Sequence, residues 1–234
     1  MSSLPILALD TATESVSAAV LASHGLFLKT ENERNKHSER LLPLADSVLK
    51  EAGVELEAVS AIAFGAGPGA FTGLRVACGV AQGLAWALDK PVVCVSNLAA
   101  TASAARNRGI YGRVLVALDA RMGECYVGVY DCSDRGIAEV AGATLEDPAQ
   151  VYRLVQQYEV KTLVGSAFEA YADKIGRIDL PVYARVVADA ASIAHVAFEM
   201  YERGETTMPA LAAPLYVRNR VALTIEQRRN GEKL

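Results

Sequence analysis

The chain repeats its own opening pattern, and this repeat limits the folds that it can adopt. The apolar run 7–10, which ends in an acid, recurs as 116–119, an offset of 109 residues in a chain of 234. The strand-like runs that follow, 15–20 and 124–130, match within one residue. A period of nearly half the chain indicates two copies of one unit. We therefore predict two duplicated lobes, joined near residues 108–112, with a cleft between them.

Apolar periodicity predicts an α/β chain with the order β-β-β-α-β-α-β in the first lobe. The predicted strands there are 4–10, 16–22, 25–30, 58–64 and 91–95, and the predicted helices begin at Ser38 and Thr72 and end at Ala52 and Leu88. The second copy is less regular, with strands predicted at 116–120, 124–130, 136–140 and 161–165 and helices at 147–157 and 189–203. We predict an N-terminal lobe at 1–108, a C-terminal lobe at 109–217 and a basic tail at 218–234.

A glycine-rich stretch at 65–75 lies between the strand 58–64 and the long apolar helix that follows. Such a corner can present backbone N–H groups to an anion or a nucleotide. However, Gly73 precedes Leu74 and Arg75 rather than the Lys and Ser or Thr of a P-loop. Ala70 stands where a dinucleotide fingerprint needs its last glycine. The sequence therefore favours a tight corner in which Thr72 caps the helix.

Composition indicates a globular protein of the cytoplasm, since 52% of residues are hydrophobic, 21% are charged and no export signal is recognisable. We expect no membrane contact. The four cysteines, Cys78, Cys94, Cys125 and Cys132, form no C-x-x-C pair, so reduced thiols are expected. A net charge of −4 argues against strong binding of nucleic acid by this chain alone. The tail is basic, with Arg218, Arg220, Arg228, Arg229 and Lys233 against Glu226 and Glu232, and is interpreted as solvated.

Four blocks of sequence resemble the TsaB family, also called YeaZ, of the tRNA threonylcarbamoyladenosine pathway. They are the stretch G-x-G-P-G-x-F-T-G-L-R at 65–75 and the blocks 9–14, 37–43 and 214–218. The resemblance implies duplicated ribonuclease-H-like, actin-like lobes, as in actin, Hsp70 and the sugar kinases (the ASKHA superfamily).

The resemblance also implies a function and its partners. The chain would be a non-catalytic subunit required for transfer of threonylcarbamoyl from threonylcarbamoyl-AMP to N6 of adenosine 37, in tRNAs that read codons beginning with A. It would support the catalytic partner TsaD as a heterodimer, which the ATPase TsaE would join in a ternary complex. The chain could also form a homodimer. Contact with tRNA would come only through the complex.

The alternative is an enzyme, an ATP-dependent phosphotransferase or a peptidase that uses the cleft between the lobes. Active members of the wider ATPase group carry a strand-end acid beside phosphate-binding glycines in each lobe, and Asp10 and Asp119 match those acids. The expected glycines are replaced around Ala12 and Met122, so both acids are interpreted as caps of turns in a degenerate cleft, with no cofactor.

Two other groups of residues bear on whether the chain carries a metal or a catalytic triad. The TsaD resemblance would place metal-binding histidines at positions that here carry Asn97 and Thr101, so no metal is expected. Asp189, Ser192 and His195 are spaced along one helix and cannot converge as a triad, so Asp189 and Ser192 are interpreted as a helix cap. No catalytic residue is assigned.

The helix ending at Leu88 is predicted to be a subunit interface as well as a core element. Only Arg75 and Gln82 are polar between Gly73 and Leu88, so both faces of this helix need covering. The outward face is predicted to consist of Arg75, Gly79, Gln82, Gly83 and Trp86. The first helix of the chain could instead cover that face.

Overall fold

The first lobe is built on a five-stranded mixed sheet. The computed structural model describes residues 5–32 and 36–218. The strands of this sheet are β1 (Ile6–Asp10), β2 (Val16–Ala22), β3 (Gly25–Glu31), β4 (Ala61–Gly67) and β5 (Val92–Ser96). They lie in the order β3-β2-β1-β4-β5. The first three form an antiparallel meander, and β4 and β5 run parallel to β1.

The second sheet repeats this arrangement. Its strands are β6 (Gly112–Asp119), β7 (Cys125–Ser133), β8 (Gly136–Glu146), β9 (Thr162–Val164) and β10 (Val182–Tyr183). Their order is β10-β9-β6-β7-β8. Read from the other edge, as β8-β7-β6-β9-β10, it matches the order of the first sheet, with β6 in the place of β1. The prediction of two duplicated α/β lobes is therefore confirmed.

Seven α-helices cover the two sheets in the described part of the chain. They are α1 (His37–Ala52), α2 (Phe71–Leu88), α3 (Asn97–Arg106), α4 (Val151–Gln157), α5 (Ala167–Ala170), α6 (Ala172–Ile175) and α7 (Ala190–Glu202). Helices α1 and α2 pack on the outer face of the first sheet, and α4 and α5 pack on the second sheet. Among the helices described, none is long and apolar enough to span a membrane.

Helices α3 and α7 are exchanged between the halves of the chain, since each packs on the sheet of the other half. Helix α3 follows the first sheet in sequence, but Leu98, Ala102 and Ala105 are buried against the second sheet. Helix α7 follows the second sheet, but Ile193 and Ala197 are buried against the first. The two helices also contact each other. This exchange ties the lobes together across the predicted boundary near residue 108.

The glycine-rich corner differs from its prediction. Strand β4 begins at Ala61, after a short 3₁₀ turn at Leu56–Ala58, and continues through Gly67. Helix α2 begins at Phe71 with Ala70 at the N-cap and no side-chain cap, so the prediction that Thr72 caps it was wrong. The corner is thus only Pro68 to Ala70.

Several elements of the second half also differ from prediction. Strand β8 extends to Glu146, six residues beyond the predicted 136–140, and the short elements α5, α6 and β10 were not predicted. The interpretation of the basic tail as solvated was wrong for Arg218, whose side chain is only 8% exposed and pairs with Glu124 at 2.7 Å. The other basic tail positions, Arg220, Arg228, Arg229 and Lys233, lie outside the described residues.

Candidate functional site

The cleft between the lobes contains a cavity of about 590 Å³. Its walls include the turns that follow β1 and β6, the start of the corner before α2, and the first turn of α3. In the wider ATPase group, the resemblance places nucleotide phosphates against these turns. The arrangement of their polar groups therefore decides what this cleft can bind.

Asp10 is fully buried at the end of β1 and does not line the cavity. Its Oδ1 accepts the N–H of Ala12 at 3.1 Å and lies 3.5 Å from the amide nitrogen of Asn97. Its Oδ2 has no partner among the described residues. Burial, the largest effect, raises the pKa of Asp10 to about 7, against these hydrogen bonds, which lower it. The interpretation of Asp10 as a turn cap is confirmed.

Asp119 occupies the same place at the end of β6, and it does line the cavity. Its Oδ1 accepts the N–H of Arg121 at 2.7 Å and the hydroxyl of Tyr171 at 2.6 Å. Its Oδ2 pairs with the Arg121 guanidinium at 3.1 Å. Burial and the hydrogen bond to Asp119 raise the pKa of Tyr171. Asp119 therefore also caps its turn, and sequence reasoning missed Tyr171 because it is 52 residues away.

The glycine-rich corner serves the turn after β1 rather than an anion. Ala70 donates its N–H to the carbonyl of Ala12 at 3.0 Å, and Thr11 donates its hydroxyl to the carbonyl of Gly73 at 2.7 Å. A Cβ on Gly69 would lie 2.9 Å from that of Ala12, and one on Gly73 would overlap the Thr11 carbonyl. These glycines are required for close approach of two backbones.

Asn97 and Thr101 occupy the positions where the resemblance to TsaD would place metal-binding histidines. Both are buried at the cavity wall. Asn97 accepts the N–H of Gly67 at 2.8 Å, and Thr101 donates its hydroxyl to the Asn97 carbonyl at 2.7 Å. These groups join β4, α3 and Asp10 into one network. Within the described ranges, no cluster of three His, Cys, Asp or Glu side chains could hold a metal ion.

Asp189, Ser192 and His195, at the start of α7, do not form a triad. Asp189 accepts the backbone N–H of Ser192 at 2.8 Å, and the Ser192 hydroxyl accepts the N–H of Asp189 at 2.9 Å, which makes a capping box. His195 instead bonds the Asn107 amide through Nδ1 at 2.9 Å, and burial lowers its pKa. The prediction that Asp189 and Ser192 cap the helix is confirmed.

The predicted interface face of α2 is open in the described structure. Arg75, Gly79, Gly83 and Trp86 are exposed, with Trp86 at 71%. A Cβ on either glycine would meet nothing within 4 Å. Gln82 is half-buried because its amide donates to the carbonyl of Ala212 at 3.0 Å. Helix α1 packs beside α2 but leaves this face uncovered, which keeps the interface as a prediction.

Comparisons with known proteins give a consistent result. Residues 29–211 match the family model described as TsaD, tRNA N6-adenosine threonylcarbamoyltransferase. The chain is 35% identical over 229 residues to the tRNA threonylcarbamoyladenosine biosynthesis protein TsaB of Escherichia coli, covering 93% of this chain and 96% of that protein. The TsaB of Haemophilus influenzae is 46% identical over 126 residues, 54% of this chain and 53% of that protein. The solved structure of YeaZ from Pseudomonas aeruginosa matches with a TM-score of 0.84 and 37% identity, over 91% of this chain and 99% of that one.

Proposed function

Because the chain belongs to the TsaB family of tRNA threonylcarbamoyladenosine biosynthesis proteins, we propose that it acts there as a non-catalytic subunit. It supports transfer of threonylcarbamoyl from threonylcarbamoyl-AMP to N6 of adenosine 37 by a catalytic TsaD partner. The ATPase TsaE joins the two in a ternary complex, and tRNA is engaged only by that complex.

The observation that carries this proposal is the internal use of the polar groups in the cleft. The Asp10 carboxylate is fully buried, and Ala12, Asn97 and Asp119 direct their polar groups to neighbours within the chain. A phosphate-binding site needs free backbone N–H groups and an acid that can reach a metal ion. Groups already bonded within the chain are unsuited to that chemistry.

The proposed contact with the partner is the exposed face of α2 from Gly79 to Trp86, with Arg75 at its N-terminal edge. Helices can approach closely where side chains are absent, and Gly79 and Gly83 provide such a gap, with Trp86 beside them as a large exposed anchor. Two copies of this chain could pair through the same face. Pairing with TsaD and pairing with itself would then compete.

The activity is tested by reconstitution. Purified TsaD, TsaE, tRNA, ATP and the threonylcarbamoyl donor are combined with and without this chain, and modified adenosine is counted by mass spectrometry. We expect modification to require the chain. Isothermal titration with ATP and magnesium tests the enzyme alternative on the isolated chain. Tight binding with turnover would contradict the non-catalytic role.

The interface is tested by Gly83→Arg, with Gln156→Arg on the exposed face of α4 as the matched control. Arginine at 83 has room in the isolated chain, so the fold should persist. A buried unpaired charge in the contact should weaken association by about 2 to 4 kcal/mol. Light scattering with TsaD measures the loss. If Gly83→Arg pairs with TsaD and with itself as tightly as the control does, the interface lies elsewhere.

A further inference from the structure

An aromatic and cationic cluster lies beside the first turn of α2, outside the cleft. The rings of Phe71 and Tyr216 lie 5.9 Å apart between centroids at an interplanar angle of 37°. The Arg75 guanidinium carbon lies 3.3 Å from the centroid of Phe71 and 5.5 Å from that of Tyr216. Both rings remain about half exposed, at 48% and 47%. The two rings are therefore not part of the hydrophobic core.

The positive charge of this cluster, on Arg75, has no ion-pair partner among the described residues. Across residues 5–32 and 36–218, the ion pairs do not include Arg75. The sequence that continues beyond Arg218 is also basic, with four basic and two acidic residues at 219–234. An exposed cation, two half-exposed rings and a basic continuation occur together on a chain whose net charge is −4.

Tyr216 is held in place from both sides. Leu215 donates its N–H to the carbonyl of Ala66 at 2.7 Å, which fixes the segment to the first lobe. Arg218 donates to the carbonyl of Ala120 at 3.1 Å and pairs with Glu124 at 2.7 Å, which fixes it to the second. An exposed ring on a segment anchored at both ends loses little entropy when it binds a flat ligand.

We propose that Phe71, Arg75 and Tyr216 form a platform on which unpaired bases of tRNA stack, in the single-stranded loop that carries adenosine 37. Aromatic rings and guanidinium planes are the groups on which proteins stack splayed RNA bases, and cations beside them contact phosphates. A protein partner would not require the basic continuation, so charge favours RNA. The inference rests on the proposed function and names the part of this chain that meets the substrate within the complex.

The test measures binding of a fluorescent anticodon stem-loop RNA to the complex of this chain with TsaD, by anisotropy at several salt concentrations. Phe71→Ala and Tyr216→Ala should each weaken binding about tenfold with little change in salt dependence, because each removes a stacking ring. Tyr216→Phe should bind like the parent. Arg75→Ala should lower the slope of log affinity against log salt by about one. Ending the chain after Arg218 should lower that slope further.

Matched controls come from α4, where Tyr152 and Arg153 are also exposed but lie on the second lobe. Tyr152→Ala and Arg153→Ala should leave RNA binding unchanged. A fully paired RNA of equal length should bind more weakly than the stem-loop, and equal binding would refute stacking. The platform is also refuted if the ring variants bind the stem-loop like the parent. It is refuted as well if the ring variants lose RNA binding only because they no longer pair with TsaD, which light scattering would show.

These outcomes are separable from failure of the proposed function. If the ring variants bind RNA normally while modification still requires this chain, the platform is wrong and the subunit role stands. If modification proceeds equally without the chain, the subunit role itself fails.

Discussion

Replacing Asp10 by Asn should make the protein more stable at alkaline pH. The carboxyl is fully buried, its Oδ2 has no partner among the described residues, and its pKa is raised to about 7 by desolvation. The Asp189 carboxylate raises it further, while the amide of Asn97 lowers it. Asparagine has nearly the same shape, and its carbonyl oxygen can still accept the N–H of Ala12. The substitution therefore removes chiefly the charge.

The magnitude follows from the difference between the folded pKa, about 7, and the reference value of 3.8. A folded-state pKa above the unfolded value favours the folded state at low pH, and this contribution is lost progressively as pH rises from 3.8 to about 7. A shift of about three units corresponds to about 4 kcal/mol, fully lost above pH 8. For a domain of this size, that is a difference in Tm of about 10 °C.

The assay compares the Tm of Asp10→Asn with that of the parent from pH 4.5 to pH 8.5, by circular dichroism. The difference should be smallest at pH 4.5, should grow steadily between the unfolded and the folded pKa, and should level off above pH 7 in favour of the variant. Asp119→Asn is the control, since it breaks the pair with Arg121 and should stabilise the protein at no pH. A difference in Tm that stays constant with pH would show that Asp10 is charged in the folded protein and refute the reasoning.

Three further outcomes are expected. Gly73→Ala should destabilise the chain by more than about 3 kcal/mol or unfold it, because its Cβ would overlap a backbone carbonyl. Gly79→Ala should raise the free energy of unfolding by up to about 1 kcal/mol, since its Cβ meets nothing within 4 Å. Urea titration measures both changes. Iodoacetamide at pH 8 should not alkylate Cys125 in the folded protein, since burial raises its pKa to about 12, but should do so in urea, as mass spectrometry will show. Asp119→Ala and His195→Ala should each retain tRNA modification in the reconstituted complex, and complete loss in a folded variant would restore a catalytic role.

Local sequence patterns predicted the elements whose stabilising contacts recur at short spacing. The strand-end acids Asp10 and Asp119 could be aligned because each closes an apolar run and caps its own turn two residues later. The capping box of Asp189 and Ser192 spans three residues and was equally visible. Such interactions are encoded within one turn of chain, so spacing alone is sufficient to find them.

Contacts between distant residues were not predictable in the same way. The glycine-rich corner was assigned to a local turn, but Gly73 is required by Thr11, 62 residues away. Arg218 belongs to a basic stretch in sequence, but its side chain is largely buried and pairs with Glu124, 94 residues earlier in the chain. Apolar periodicity also could not predict the exchange of α3 and α7. It indicates that a helix has an apolar face, but it does not indicate which sheet covers that face.

The same long-range contacts limit how this chain can act on a partner. Helix α2 is fixed to the turn after β1, because Thr11 bonds Gly73 and Ala12 bonds Ala70. Its outward face, the proposed partner contact, is thus rigidly connected to the base of the cleft. A ligand changes a conformational equilibrium only by binding two states unequally. Since the polar groups of the first-lobe turn are bonded within the chain, the described structure offers a nucleotide little to distinguish an open from a closed cleft. We therefore expect the chain to influence TsaD by holding one fixed surface against it, rather than by a nucleotide-driven closure of its own lobes.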